Sequence, residues 1–308
     1  MKKITKKTQV LFIIFNRPDA TKRVFAEIRK YKPTKLFVAA DGPRETKSGE
    51  KDKCGAARKL TENIDWPCEV KRLYRNKNLG CKLAVSEAIT WFFENVEEGI
   101  ILEDDCLPDP SFFKFCEEML DTYKNDENIM HITGDNYQGG VHRGEQNSSY
   151  YFSIYPHIWG WATWKRAWNK YSLKIDMKSE KLRKTFSKMR IFEKIYWGTM
   201  FWCVNHNLVN TWDYQWVYAI WKNSGICITP NRNLVINIGI GNNSTHTKRA
   251  NHSIDSVQLE SVNKVIHPRS IIVNTEADRL TSQETFDISL KNLWKILLVI
   301  PYNILKNL

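Results

Sequence analysis

The sequence predicts an α/β protein, a single domain built on a mostly parallel central sheet with helices on both faces, and three observations carry that prediction. Apolar runs of about five residues recur in the first third of the chain, at Val10-Leu11-Phe12-Ile13-Ile14-Phe15, Leu36-Phe37-Val38-Ala39-Ala40 and Gly99-Ile100-Ile101-Leu102. Each run stops at a short polar segment: Asn16-Arg17-Pro18-Asp19, Asp41-Gly42-Pro43-Arg44 and Glu103-Asp104-Asp105. Between the runs, apolar residues return at helical spacing, as with Val24, Phe25 and Ile28. Strands that are apolar throughout and alternate with amphipathic helices belong to sheets covered on both faces, which are parallel.

Taken in order, the first strand delivers Arg17 to the carboxyl edge of the sheet, where open α/β sheets bind their ligands. Its guanidinium suits a phosphate or a base. The second strand delivers Asp41, which can accept from a ring N–H. A helix is expected from about Gly80 to Glu94, with Ala84, Ala88 and Phe92 forming a core-facing stripe and Leu83 and Trp91 beside them. The segment leading into it, Arg75-Asn76-Lys77-Asn78-Leu79-Gly80-Cys81-Lys82, is basic. A helix N-terminus with cations such as Lys82 nearby suits an anionic diphosphate, the alternative being a solvated basic loop.

The third strand ends in the acidic triplet Glu103-Asp104-Asp105, just before a helix opens at Pro108-Asp109-Pro110. Crowded carboxylates repel one another and are costly to desolvate without a cation or hydrogen-bond donors close by. The triplet therefore reads as a site for a metal and a diphosphate, against the alternative of a solvated acidic turn.

The order of strand and Asn16-Arg17, strand and Asp41, Asn78-Leu79-Gly80 opening a helix, and Ile101 to Phe113 through the triplet resembles metal-dependent GT-A glycosyltransferases. It is most similar to the N-acetylglucosaminyltransferase that begins complex N-glycans and to bacterial nucleotide-diphosphosugar transferases of that type. Trp159-Gly160-Trp161-Ala162-Thr163-Trp164-Lys165-Arg166-Ala167-Trp168 resembles that family's glycine-tryptophan segment beside the sugar pocket, and Thr211-Trp212-Asp213-Tyr214-Gln215-Trp216 resembles the stretch with its catalytic carboxylate. The likeness spans about residues 8 to 250. It implies that Asp105 ligates a divalent metal, Mn²⁺ or Mg²⁺, that bridges the donor phosphates, with Glu103 and Asp104 facing the metal shell and the nucleoside. Asn16, Arg17 and Asp41 match positions at the uridine end of a UDP-sugar, Trp161 the sugar pocket, and Asp213 the base of an inverting displacement. His246 lies where many GT-A enzymes present a late histidine to metal or pyrophosphate, a surface histidine being the other reading.

The residue types suit that chemistry independently of the likeness. Negative charge accumulates on the departing phosphate, and a hard cation with oxygen ligands stabilises it. A sugar hydroxyl is a weak nucleophile at neutral pH, so a carboxylate must take its proton. Asp213, between Trp212 and Trp216, is expected to be partly desolvated; a helix-capping carboxylate is the alternative. The tryptophans at 159, 161, 164, 168, 212, 216 and 221 supply ring faces for stacking on sugars, although most are expected in the core, and Gly160 is expected to allow close approach of backbone to a ligand.

At 308 residues the chain can bury a core without disulfides, and its seven cysteines include no Cys-x-x-Cys pair, which favours a reducing compartment and disfavours structural zinc. The organisation expected is a catalytic domain over 1–285, with a nucleotide-sugar half at about 8–135 and an acceptor half at about 136–250, followed by an amphipathic, apolar helical tail over 286–308. The net charge of +12 points to an anionic partner. Nucleic acid is disfavoured, because the basic residues are spread along the chain and no recognition motif accompanies them. Residues 178 to 196 place Leu182, Phe186 and Met189 on one helical face among lysines and arginines, and the tail carries a ten-residue uncharged stretch between Lys295 and Lys306, too short for the ~20 residues of a span. Both suit an anionic membrane surface, hence a cytoplasmic enzyme peripheral to the membrane acting on a glycan or lipid-linked glycan. Two other functions fit parts of the pattern: a sugar-phosphate nucleotidyltransferase, and a carbohydrate-binding protein without catalysis.

Overall fold

A computed structural model describes residues 7–239 and 258–288. His246 and the tail beyond Ile288 lie outside the described residues. The first half runs β1 (Val10–Ile14), α1 (Pro18–Tyr31), β2 (Lys35–Ala40), α2 (Glu50–Leu60), β3 (Glu69–Tyr74), α3 (Gly80–Asn95), β4 (Glu98–Glu103), β5 (Cys106–Pro108), α4 (Pro110–Thr122) and β6 (Ile129–Thr133). The second half adds β7 (Tyr150–Ser153), β8 (Trp161–Trp164), α5 (Lys165–Trp168), α6 (Glu180–Ser187), α7 (Ile191–Asn205), α8 (Asp213–Lys222), β9 (Ile226–Pro230) and β10 (Val235–Asn237). A short helix, α9 (Thr275–Leu280), and a π-helical turn at Thr281–Thr285 complete the described chain.

Among the described residues, eight strands form one sheet in the order β3-β2-β1-β4-β8-β6-β9-β7. From β3 to β4 all neighbours are parallel; β6 and β9 share that direction, while β8 and β7 run against it. The sheet is thus mostly parallel, with its carboxyl edge formed mainly by β1 to β4. Alternation along β1 sends Val10, Phe12 and Ile14 to the face covered by α1 and α4, and Leu11 to the face covered by α3 and α8. Both faces are buried, which is why these strands read as unbroken apolar runs.

Helix α1 opens at Pro18 with Asp19 in its first turn and ends in Arg29 and Lys30, a charge order that suits the helix dipole. In α4 the Asp109 carboxylate caps the helix by accepting from the Ser111 amide at 2.8 Å. Within α3 the buried stripe is Ala84, Val85, Ala88, Ile89, Phe92 and Phe93, whereas Leu83 is exposed, one position off the face that meets the sheet. The amphipathic segment at 178–196 is two helices, because Arg190 caps α7: its amide donates to Glu193 Oε2 at 2.8 Å. Leu182 and Met189 are nonetheless buried, with Phe186 packed beside them. Strand β5, between the triplet and α4, was not apparent in the sequence; it pairs antiparallel with β10, which draws Asn237 opposite Cys106.

Candidate active site

The carboxyl ends of β1, β2 and β4 open into a cavity of about 530 Å³, closed on the far side by the segment leading into α8. Phe15 and Arg17 come from the β1 loop, Asp41 and Arg44 from the β2 loop, and Arg75, Asn78 and Gly80 from the approach to α3. The triplet Glu103, Asp104 and Asp105 lies at the end of β4. Asn210, Thr211, Trp212 and Asp213 face it, with Trp159 and the Asn237–Gly239 segment completing the wall. The three polar strand ends converge because parallel strands share one carboxyl edge.

Asp104 and Asp105 are nearly buried, at 4% and 7% exposure. Arg17 Nη1 donates to Asp105 Oδ2 at 2.6 Å and to Asp104 Oδ1 at 3.3 Å, while the Phe15 amide donates to Asp104 Oδ2 at 2.9 Å. These donors leave the acids under-compensated. Burial, then the charge on Asp105, pushes both Glu103 and Asp104 above the ordinary carboxylate range, against the opposing pull of Arg17. Asp213 faces Glu103 closely enough to add to that rise.

Residual negative charge borne by oxygen donors suits a hard divalent cation. Among the described residues no group of three His, Cys, Asp or Glu side chains converges as a complete ligand set. One or two carboxylates of the triplet could hold such an ion, with water and phosphate oxygens supplying the rest, the usual habit of Mg²⁺. The Gly239 backbone rests against the Asp105 carboxylate so closely that a side chain there would collide with it, and the Ile238 amide donates to the Asp105 carbonyl at 2.8 Å. From this point the chain leads to the segment with His246, outside the described residues.

Asp41 is placed on the cavity wall with its carboxylate already engaged. It accepts from the amides of Gly42, Leu79 and Gly80 at 2.9 to 3.1 Å and from Asn78 Nδ2 at 2.9 Å. It thereby joins the end of β2 to the N-terminus of α3. Arg44 reaches the wall from the same loop, gripped by the buried Glu50: the Arg44 amide donates to Oε2 at 2.7 Å and Nε to the same oxygen at 3.0 Å. These bonds, those from Arg44 first, hold the Glu50 carboxyl down to about 2. Asn16 serves this clamp, its Nδ2 donating to Glu50 Oε1 at 2.8 Å, and is not itself on the wall.

Lys82 also stands off the wall. Its ammonium donates to Asn207 Oδ1 at 3.1 Å and to the Val204 carbonyl at 3.4 Å, at the C-terminal end of α7, where a cation is favoured. Arg75, seven residues earlier, lines the cavity, held by Glu87 at 2.8 Å. Arg44 and Arg75 both lay in segments marked by the sequence, but nothing in the pattern separated them from Lys82. Arg44 and Arg75 stand on loops just after strand ends, whereas Lys82 lies within the first turn of α3 and is carried to the end of α7.

Asp213 is the first residue of α8 and half-buried. Its Oδ1 accepts from the Thr211 hydroxyl and from the Tyr214 amide at 2.9 Å, so the residue both lines the cavity and steadies the start of its helix. Trp161 is placed in the core. It has no exposed surface, stacks on His131 at 5.0 Å and on Trp212 at 5.7 Å, and does not reach the cavity. Among the described residues, Trp159 and Trp212 are the tryptophans on the wall. Gly160, at φ +71°, is required by the protein itself: a methyl group there would lie 2.8 Å from Val235 Cγ2, so the close approach is of β10, not of a ligand. Asp135, another carboxylate near the end of β6, is buried and accepts from Tyr137 at 2.7 Å, away from the cavity wall.

No protein-family model matches the chain, and no curated protein matches its sequence. Among solved structures, TarS residues 1–349 from S. aureus aligns with a TM-score of 0.43 at 8% identity, covering 74% of this chain and 59% of that one. HddC from Yersinia pseudotuberculosis aligns at 0.33 and 12% identity, covering 56% and 86%. UDP-glucose pyrophosphorylase in complex with UDP-glucose aligns at 0.32 and 11% identity, covering 53% and 78%.

Proposed function

We propose that the chain is an inverting glycosyltransferase that moves a sugar from a nucleoside diphosphate, uridine being the base, to a hydroxyl of a glycan. One observation carries the proposal: a single cavity holds an arginine-and-carboxylate wall on the strand ends and a separate carboxylate, Asp213, on the wall opposite. A transferase of this kind needs both, because the leaving diphosphate and the attacking hydroxyl lie on opposite faces of the sugar in an inverting displacement.

Arg17, Arg44 and Arg75 supply positive charge for the diphosphate, and guanidinium groups match phosphate oxygens in geometry as well as charge. Asp213 takes the hydroxyl proton as the acceptor oxygen bonds to the anomeric carbon. The bond from that carbon to the phosphate oxygen breaks with its electron pair, releasing nucleoside diphosphate. A Mn²⁺ or Mg²⁺ ion held by Asp105 would supply further charge stabilisation to the leaving phosphates. Trp159, half-buried on the cavity wall, offers a ring face to a sugar.

The test is product identity. Incubation with a panel of nucleotide sugars and glycan acceptors should release nucleoside diphosphate and leave the sugar on the acceptor. Formation of pyrophosphate with a nucleotide sugar from nucleoside triphosphate and sugar phosphate would instead make the chain a nucleotidyltransferase. Sugar binding unaffected by nucleotide, with no product at all, would leave a carbohydrate-binding protein.

A further inference from the structure

Away from the cavity, residues 174 to 194 contain eight Lys and Arg against three Asp and Glu. One of those acids, Glu193, is buried and held by Arg190 at 3.0 Å. The basic side chains Lys181, Arg183 and Lys184 are exposed on α6. Among them stand large apolar side chains that the fold leaves in solvent: Met177 is 38% exposed and Ile191, at the start of α7, 60%. A shallow groove of about 260 Å³ lies between, floored by Leu182 and Phe186.

A second feature comes to the same helix from about ninety residues away. The π-helical turn at Thr281–Thr285 docks on α7, where Phe286 packs on Trp197 with ring centroids 4.9 Å apart. Ile288, 3% exposed, is the last described residue. The sequence beyond it is the apolar stretch with ten uncharged residues between Lys295 and Lys306. The chain therefore leaves the described structure beside the helix that begins with exposed Ile191.

We propose that the α6–α7 ridge is a docking surface for an anionic lipid bilayer, with Met177 and Ile191 entering the headgroup boundary and Lys181, Arg183 and Lys184 meeting lipid phosphates. The ridge combines the two features that interfacial binding sums, apolar area and attraction to anionic lipid. A soluble polyanion would use the charge and gain nothing from exposed methionine and isoleucine. No described helix is long and apolar enough to cross a membrane, so this contact lies on the surface. The opposite end of α7 leads through Asn210 into the cavity wall, about 22 Å along a 15-residue helix. Lipid-linked and membrane-proximal acceptors fall within that reach.

The test uses the full chain and vesicles of phosphatidylcholine with and without phosphatidylglycerol. Wild-type protein should sediment with the anionic vesicles only, and less so at high salt. Lys181→Glu/Arg183→Glu/Lys184→Glu should weaken that binding by roughly 10²-fold or more, since the loss of three surface-lipid attractions alone is worth about that much. Met177→Ser/Ile191→Ser should weaken it several-fold with net charge unchanged. All five positions are exposed, so both variants should melt as the wild type does. The proposal is overturned if wild type ignores anionic vesicles, or if the charge-reversed variant binds them as wild type does, which would leave any attachment to the tail. It is also overturned if Met177→Ser/Ile191→Ser changes nothing while DNA competes fully for the protein, which would assign the ridge to a soluble polyanion.

Discussion

On the β1–β2–β4 side of the cavity, Arg17 joins Asp104 and Asp105 by ion pairs of 3.3 and 2.6 Å, and Arg44 is fixed to buried Glu50. On the α8 side, Asp213 heads a helix whose Trp216, Tyr218 and Trp221 are all buried, and behind it Trp161, Trp168 and Trp212 pack ring against ring. The first wall is charge laid over an apolar sheet. The second is one carboxylate set in a mass of aromatic carbon. Partners on the charged wall can be exchanged for those of a ligand with little change in packing, whereas the aromatic wall holds its carboxylate in place by filling space. Substitutions on the first should therefore move ligand affinity, and substitutions on the second should move stability, with Asp41 on the first and Asp213 on the second the exceptions.

The largest effect expected is on the aromatic side. Trp161→Ala empties a fully buried site and should cost ~3–5 kcal/mol in unfolding free energy while leaving donor affinity near wild type. Denaturant titration and calorimetry check the two halves; loss of donor binding in a folded Trp161→Ala protein would return Trp161 to the sugar site. Asp213→Asn keeps the shape of the side chain and should lower turnover by ~10²-fold or more at nearly unchanged donor affinity. Near-normal transfer by that variant would mean that another group takes the proton.

On the charged side, Asp105→Ala should abolish Mn²⁺-dependent donor binding by calorimetry and leave the melting temperature close to wild type. Metal-dependent binding that survives the substitution would remove Asp105 from the ion's coordination. Asp41→Ala separates a contact residue from a structural one. It strips the acceptor from the Leu79 and Gly80 amides, so ~1–3 kcal/mol of stability should be lost together with donor affinity. A rise in donor KM with unaltered stability would instead show a carboxylate free to meet the nucleoside.

The smallest effect is a pH dependence set in the core. His131 donates from Nε2 to the His157 carbonyl at 2.8 Å and accepts at Nδ1 from Trp216 at 3.1 Å, so it is neutral, and burial foremost brings its pKa down to about 3. Between that value and the ordinary ~6.5 the unfolded chain binds a proton that the folded chain does not. Stability should thus fall as pH drops below about 6.5, by at most ~1.4 kcal/mol per pH unit from this group. His131→Gln should flatten the slope in urea titrations at pH 5 and 7 after its own cost is subtracted; an unchanged slope would place the proton uptake elsewhere.

Local pattern alone settled the strands and much of the first wall. Val10–Ile14, Lys35–Ala40 and Glu98–Glu103 announce themselves because burial on both faces permits no polar residue, so each polar loop marks a strand end. Parallel direction then follows from the intervening helices, and with it the meeting of Arg17, Asp41 and the triplet at one edge. What sequence could not decide was direction within an element and contact between distant ones. Arg75 enters the cavity while Lys82 turns to the end of α7, Asp41 is taken up by the amides of α3, and Trp159 lines the wall while Trp161 is packed inside. Trp159 and Trp161, two apart, would share a face of a regular strand. They part because Trp159 precedes β8 and Gly160 between them takes φ +71°, while Arg75 precedes α3 and Lys82 lies within its first turn. The meeting of the α6–α7 ridge with the chain at Ile288 was likewise decided by the packing of Phe286 on Trp197, a contact between residues about ninety apart that no local pattern encodes.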